Sequence, residues 1–246
     1  MPSINETIAS LKTLAAEMSL LKHPFYQQWT AGTLSAQRLR NYAIQYYRHV
    51  ATFPRYLSAM HSRCDDLATR QVLLENLIDE ERGAENHPAL WLKFAQALGL
   101  TNDEVTAAEP LPAADALVET FDHLSRDLPL SAGLSALYVY ESQVAEVASA
   151  KIDGLQRFYG FPCVSHAPNV VNGGRHNTHD AGDANTDGLE FFAVHRDADP
   201  YHAQAIAHRA PQHASRGSRA CVGGGPHRAE SYLGPARLRL RWKGTR

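Results

Sequence analysis

The chain has 246 residues, 44% hydrophobic and 20% charged, enough for one domain that buries most of its apolar surface without a disulfide or structural metal. No run reaches the ~20 apolar residues of a membrane span, and the opening MPSINETIASLKTLAAEMSL lacks the basic and apolar regions of a signal peptide. Three cysteines with no CxxC pair point to a reducing cytoplasm, and a net charge of −2 argues against nucleic acid as a partner.

In chain order, the first signal is a capping box, Ser3-Ile-Asn-Glu6, followed by Ile8, Leu11, Leu14, Ala15 and Met18 at helical spacing. His23-Pro24 ends that run. A long helix is predicted over about Ser35 to Met60, with Leu39, Tyr42, Ala43, Tyr46, Val50, Phe53 and Leu57 as one apolar stripe and Pro54 as a kink. Asp65-Asp66 caps a third helix to about Arg82, with Leu67, Leu74, Leu77 and Ile78 facing inward. Pro88 opens Ala89–Leu98, stopped by Gly99, and Thr101-Asn-Asp-Glu104 is a second capping box. Helices follow over about Ala113 to Arg126, Ser131 to Tyr159 and Leu189 to His208. No period-2 strand is evident, so the class is all-α.

Two segments break the pattern. Residues 162–188 (PCVSHAPNVVNGGRHNTHDAGDANTDG) are rich in Gly, Asn, Asp and His and read as a loop inserted into a helical domain of residues 1–208. Residues 209–246 form an irregular tail with no apolar stripe. The charge divides in the same place. Residues 203–246 hold nine Lys/Arg against one acid, a net +8, whereas residues 1–202 hold 15 basic and 25 acidic side chains, a net −10. The Arg/Gly/Ala/Pro bias is that of GC-rich coding sequence read out of frame, or of a genuine basic tail.

Three groups of residues can carry metal chemistry. His195, Asp199 and His202 lie at i, i+4 and i+7, in one sector of a helix, and supply two imidazoles and a carboxylate suited to iron or manganese. Pro200 is awkward in that helix, and a solvated polar face is the bland alternative. Glu80 and His87 are seven apart and share a face if the helix continues through Gly83; Glu81 competes with Glu80, and an ordinary acidic helix end competes with both. Glu141 interrupts the apolar Leu137-Tyr-Val-Tyr140, so it is either a wet-face acid or a buried carboxylate that must be paired, protonated or metal-bound. Jointly they offer three carboxylates and three histidines, which suit two metal ions with positions open to oxygen, the logic of carboxylate-bridged helical bundles. His166, His176, His179 and Asp180 form a weaker HxxHD set in the loop, and Cys64 is a possible nucleophile or a small buried residue.

Five segments carry a family resemblance: His23–Leu67 (HPFYQQWTAGTLSAQRLRNYAIQYYRHVATFPRYLSAMHSRCDDL), Asn76–Trp91 (NLIDEERGAENHPALW), Ala136–Gln143 (ALYVYESQ), Lys151–Phe161 (KIDGLQRFYGF) and Phe191–His202 (FFAVHRDADPYH). They resemble the family of the Chlamydia protein associating with death domains, heme-oxygenase-like di-metal oxidases related to the TenA and pyrroloquinoline-quinone synthase groups. The resemblance implies a heme-oxygenase-like helical bundle that dimerises. It implies a two-metal site of iron and/or manganese at Glu80, His87, Glu141, His195, Asp199 and His202, and it favours Glu80 over Glu81. It also implies para-aminobenzoate formation for folate, using oxygen and a reductant, with Tyr26 as ring source and Lys151 as amino donor. Tyr42 and Tyr140 match family tyrosines that relay a radical or serve as alternative ring sources. An amine is nucleophilic only when deprotonated, so Lys151 requires a depressed pKa.

The sequence departs from the family in the 162–188 insertion and in the lack of a last amphipathic helix after His202. Two other functions compete. A TenA-like aminopyrimidine hydrolase needs a positioned cysteine, and a non-enzymatic protein-binding module has its precedent in the family's death-domain association.

Overall fold

Helix boundaries fall where the capping chemistry places them. The computed structural model describes residues 3–162 and 188–207, with 209, 210, 212 and 213. Ser3 and Glu6 close the capping box that opens α1 (Ile4–Glu17). After a 3₁₀ turn at Leu20–Lys22, the His23 ring accepts the Phe25 amide at 3.1 Å and opens α2 (Pro24–Thr30), a short helix that the apolar pattern did not reveal. Ser35 caps α3 (Ala36–Ser62), which runs as one helix through Pro54. Asp66 caps α4 (Leu67–Glu81), Asn86 caps α5 (His87–Ala97), and Thr101 with Glu104 caps α6 (Asn102–Thr106). Then come α7 (Pro112–Arg126), α8 (Leu130–Phe158), closed at Gly160 with φ +76°, and α9 (Glu190–Ala207). Among the described residues there is no strand, and no helix is long and apolar enough to cross a membrane.

The longest helices make the frame. α8 packs along α9 and also meets α7, α1 and α2, while α3 packs against α4, α5 and α7. Two apolar clusters fill it, one around Trp29, Trp91, Phe94 and Phe192, the other around Tyr56, Leu73, Leu134 and Ile206. α8 passes from the second cluster at Tyr138 to the first at Ala148, and α9 passes from the first at Phe192 to the second at Ala203. Glu141 lies in the first interval and His195 in the second. Glu141 and His195 therefore lie where α8 and α9 cross between the two apolar cores.

Several expected inward residues face outward. On α4, Leu67 is 66% and Leu74 43% exposed, and the buried face is Thr69, Leu73, Asn76 and Glu80. On α1, Ile8 and Ala15 are buried but Leu14 and Met18 are exposed. The inserted loop, including the HxxHD set, and the tail beyond His213 lie outside the described residues, as does the expected alteration of a last helix.

Candidate metal centre and lysine pocket

Glu80 and His87 meet by a route other than the predicted one. α4 ends at Glu81, Gly83 turns the chain at φ +80°, a conformation that costs glycine no steric penalty, and His87 begins a new helix behind its Asn86 cap. The turn brings His87 Nδ1 to 2.7 Å from Glu80 Oε2, with both side chains buried. Glu81 is exposed. From α9, His195 completes a group: one ligand atom each from Glu80, His87 and His195 lies within 4.8 Å of the others. The rings of His87 and His195 are 4.4 Å apart. His195 Nδ1 is 2.6 Å from the Phe191 carbonyl oxygen, which can only accept, so Nδ1 carries the proton and Nε2 presents its lone pair. Burial, helped by the His87 ring, pushes the His195 pKa down to about 3 and keeps the ring neutral.

Glu141 faces the same small cavity, lined by His49, Glu80, Tyr140, Phe191 and His195. The Asn76 amide donates to Glu141 Oε1 at 2.6 Å, while Oε2 is buried with no hydrogen-bond partner among the described residues. Burial, with the nearby Glu80 carboxylate, pushes the Glu141 pKa up to about 8. His87 Nδ1 is likewise close to Glu80 without the alignment of a hydrogen bond. Buried carboxylates and imidazoles with orphaned polar atoms fit a cation, which would meet both the charge and the orphaned atoms.

The remaining predicted ligands divide. His202 is buried and its Nε2 pairs with Asp79 Oδ2 at 3.1 Å, outside the three-residue group. Asp199 falls within α9, but its side chain lies outside the described residues.

Lys151 occupies a second buried site. Its Nζ donates to the Tyr42 hydroxyl at 2.6 Å. It stands over the rings of Tyr26 (5.4 Å), Trp29 (5.8 Å), Tyr42 (4.9 Å), Tyr46 (5.6 Å) and Phe192 (5.3 Å). Burial in this aromatic cage pushes its pKa down to about 7. Tyr26 and Tyr42 both pack on the Phe25 ring, and burial pushes the Tyr26 phenol up to about 12 and Tyr42 well above the usual phenol range. Trp29 Nε1 donates to the Lys151 carbonyl at 3.2 Å, fixing the backbone beneath the amine.

A cavity lined by Tyr26, Tyr46, Tyr140, Lys151 and His195 joins the two sites. The Tyr46 and Tyr140 hydroxyls are 2.6 Å apart, and the Tyr42 and Tyr46 rings stack at 5.2 Å. A continuous aromatic line thus runs from Tyr26 through Tyr42 and Tyr46 to Tyr140, beside Glu141. Three residues of this arrangement escaped the sequence reading. Tyr46 looked like core stripe, Asn76 and His49 like nothing. The available signal was spacing: Asn76 lies one turn before Glu80, and His49 lies within the α3 stripe. Cys64 is buried near Asp66 and His213, and it lines neither of these cavities.

The sequence pattern of the TENA/THI-4/PQQC family matches residues 10–169. The 4-aminobenzoate synthase of Nitrosomonas europaea is 43% identical over 76% of this chain and 70% of the relative. That of Chlamydia muridarum is 41% identical over 79% and 73%. Among solved structures, a domain of unknown function with a heme oxygenase-like fold from Shewanella denitrificans superposes with a TM-score of 0.62, at 15% identity, over 86% of this chain and 80% of the other.

Proposed function

The chain belongs to the TENA/THI-4/PQQC family, with a heme-oxygenase-like fold, and within it we propose that this protein forms 4-aminobenzoate from the ring of its own Tyr26. The observation that carries the reading is the placement of Lys151: a buried amine 5.4 Å from the Tyr26 ring centroid, in a cavity that His195 also lines. Similarity to the 4-aminobenzoate synthases supports it.

Glu80, His87, Glu141 and His195 would hold the metal, with His202 and Asp199 the further ligands that the resemblance implies. Two ions bound there, iron and/or manganese, would supply oxidising equivalents drawn from oxygen, with the electrons for its activation coming from a reductant. Tyr42 accepts a hydrogen bond from the Lys151 amine, which also stands over the Tyr26 ring. The aromatic cage excludes water, holds the amine near neutrality and so leaves its lone pair available as a nucleophile. The Tyr46–Tyr140 hydroxyl pair offers the phenols of the line a place to pass a proton between them. A homodimer in a reducing cytoplasm, without nucleic-acid or membrane partners, completes the proposal.

The test is aerobic reconstitution with iron and manganese, followed by product assay and mass measurement of the peptide carrying Tyr26. Product formation should accompany a mass change at Tyr26. Product with an unmodified Tyr26 rejects the self-sacrifice reading. The aminopyrimidine-hydrolase alternative requires a cysteine at the cavity. Cys64 is not there, and burial pushes its thiol pKa up, away from the reactive thiolate.

A further inference from the structure

His49 is 2% exposed, lies on α3, and lines the cavity that holds Glu80, Glu141 and His195. Neither of its ring nitrogens has a hydrogen-bond partner among the described residues. Its other surroundings are aromatic: the rings of Tyr46, Phe53, Tyr56, Phe121 and Tyr140 lie 5.1–5.9 Å away. A neutral imidazole has one N–H to donate and one lone pair to offer, and burying both unused is costly. The aromatic rings cannot satisfy them, so the partner belongs to the cavity. Glu141 Oε2, the other orphaned atom of that cavity, has the same need. His49 is neither in the group whose ligand atoms lie within 4.8 Å of one another nor, unlike Glu141, among the ligands that the resemblance implies, so its place is beside the cation site rather than in it.

We propose that His49 is a positioning residue of this centre: it hydrogen-bonds the small exogenous oxygen or nitrogen ligand that occupies the cavity it shares with Glu80, Glu141 and His195. The inference rests on the reading that this group holds metal. The cavity is cramped and walled by Phe191 and Tyr140, which restricts the occupant to a few atoms, such as water, a dioxygen-derived ligand or a small anion. His49 fixes its orientation from the side facing the Tyr46–Tyr140 pair, without contributing a metal bond.

Azide is the probe. Its binding to the metal-loaded protein is followed by charge-transfer absorption in the wild type and in His49→Phe, His49→Leu and His49→Gln, alongside elemental analysis of each. The Phe and Leu variants should keep the wild-type metal content and bind azide about tenfold more weakly, the loss of one hydrogen bond. The Gln variant, which keeps a donor and an acceptor, should return to within about threefold of wild type. The paired Phe and Leu variants guard against a folding defect peculiar to one. Equal azide affinity in all four proteins overturns the proposal and leaves His49 a packing residue. Loss of metal in the folded variants overturns it too, by making His49 a ligand. Metal-free wild-type protein after reconstitution overturns the functional reading and this inference together.

Discussion

Glu141 and Lys151 stand ten residues apart on α8, about 15 Å along its axis, and both are buried. Around Glu141 stand a second carboxylate, Glu80, an amide donor, Asn76, and the imidazoles of the metal group. Around Lys151 stand aromatic rings and one phenol hydroxyl. Burial disfavours charge at both places, and each site answers differently. The lysine site is complete once the amine sheds its proton, because the neutral amine keeps an N–H to donate to Tyr42. The glutamate site stays incomplete even with Glu141 protonated, because its other lone pairs converge on the same space. In the proposed reading, the Glu141 stretch of the helix receives a cation, and the Lys151 stretch keeps an amine neutral.

The largest break in this comparison should come from His195→Ala. It removes one of the three converging ligands, and metal affinity should fall more than about 100-fold, measured by elemental analysis after reconstitution and gel filtration. Retention of full metal content would show that the cluster does not hold the ion. Lys151→Met comes next. It keeps the volume and removes the amine, so product formation should fall to background in a single-turnover assay, while metal content and thermal stability are preserved. Metal loss in that variant would mean that the two ends of α8 are not separable.

Gly154→Ala tests the support beneath the amine. A Cβ there would lie 2.6 Å from Trp29 Cδ1, so Trp29 must shift and its bond to the Lys151 carbonyl weakens. The expected cost is about 1–3 kcal/mol by denaturant unfolding, with altered tryptophan emission. A pH slope tests the same amine without a substitution. Lys151 titrates near 7 in the folded protein and at 10.5 in an ordinary setting, so the unfolded chain binds more protons between those values. Stability should therefore rise with pH across that window, by up to about 1 kcal/mol per unit at the steepest, and the slope should flatten in Lys151→Met. Above pH 10 the raised Tyr26 phenol works in the opposite sense.

Much of the fold was legible. Ser3, Asp66 and Thr101 cap the helices they were read to cap, because capping is decided by a side chain and the amides two or three residues on. The failures have a common cause. On α4 the eye follows Leu67, Leu74, Leu77 and Ile78; Leu77 does pack on the core, but Leu67 and Leu74 are exposed and the buried face is Thr69, Leu73, Asn76 and Glu80, since a helix that serves a polar site buries polar residues. His49 and Tyr46 hid in an apolar stripe for the complementary reason: aromatic and imidazole rings look like core when only their spacing is read. The short helix α2 has too few residues for a period to show.

The sequence by itself determined the all-α class, the helix starts and the family, because these rest on local spacing, on capping contacts and on residues matched one by one. It also marked Glu80, His87 and His195 by their spacing, Glu141 by its apolar neighbours, and Lys151 through the family resemblance. Only the tertiary structure decided how they combine. Glu80 meets His87 around the Gly83 turn rather than along one helix. Asn76 and His49, from two further helices, reach the same cavity, and a line of tyrosines joins it to the lysine. Those relations depend on how α3, α4, α5, α8 and α9 cross, and helix crossings are set by packing between residues far apart in the chain, which no local pattern encodes.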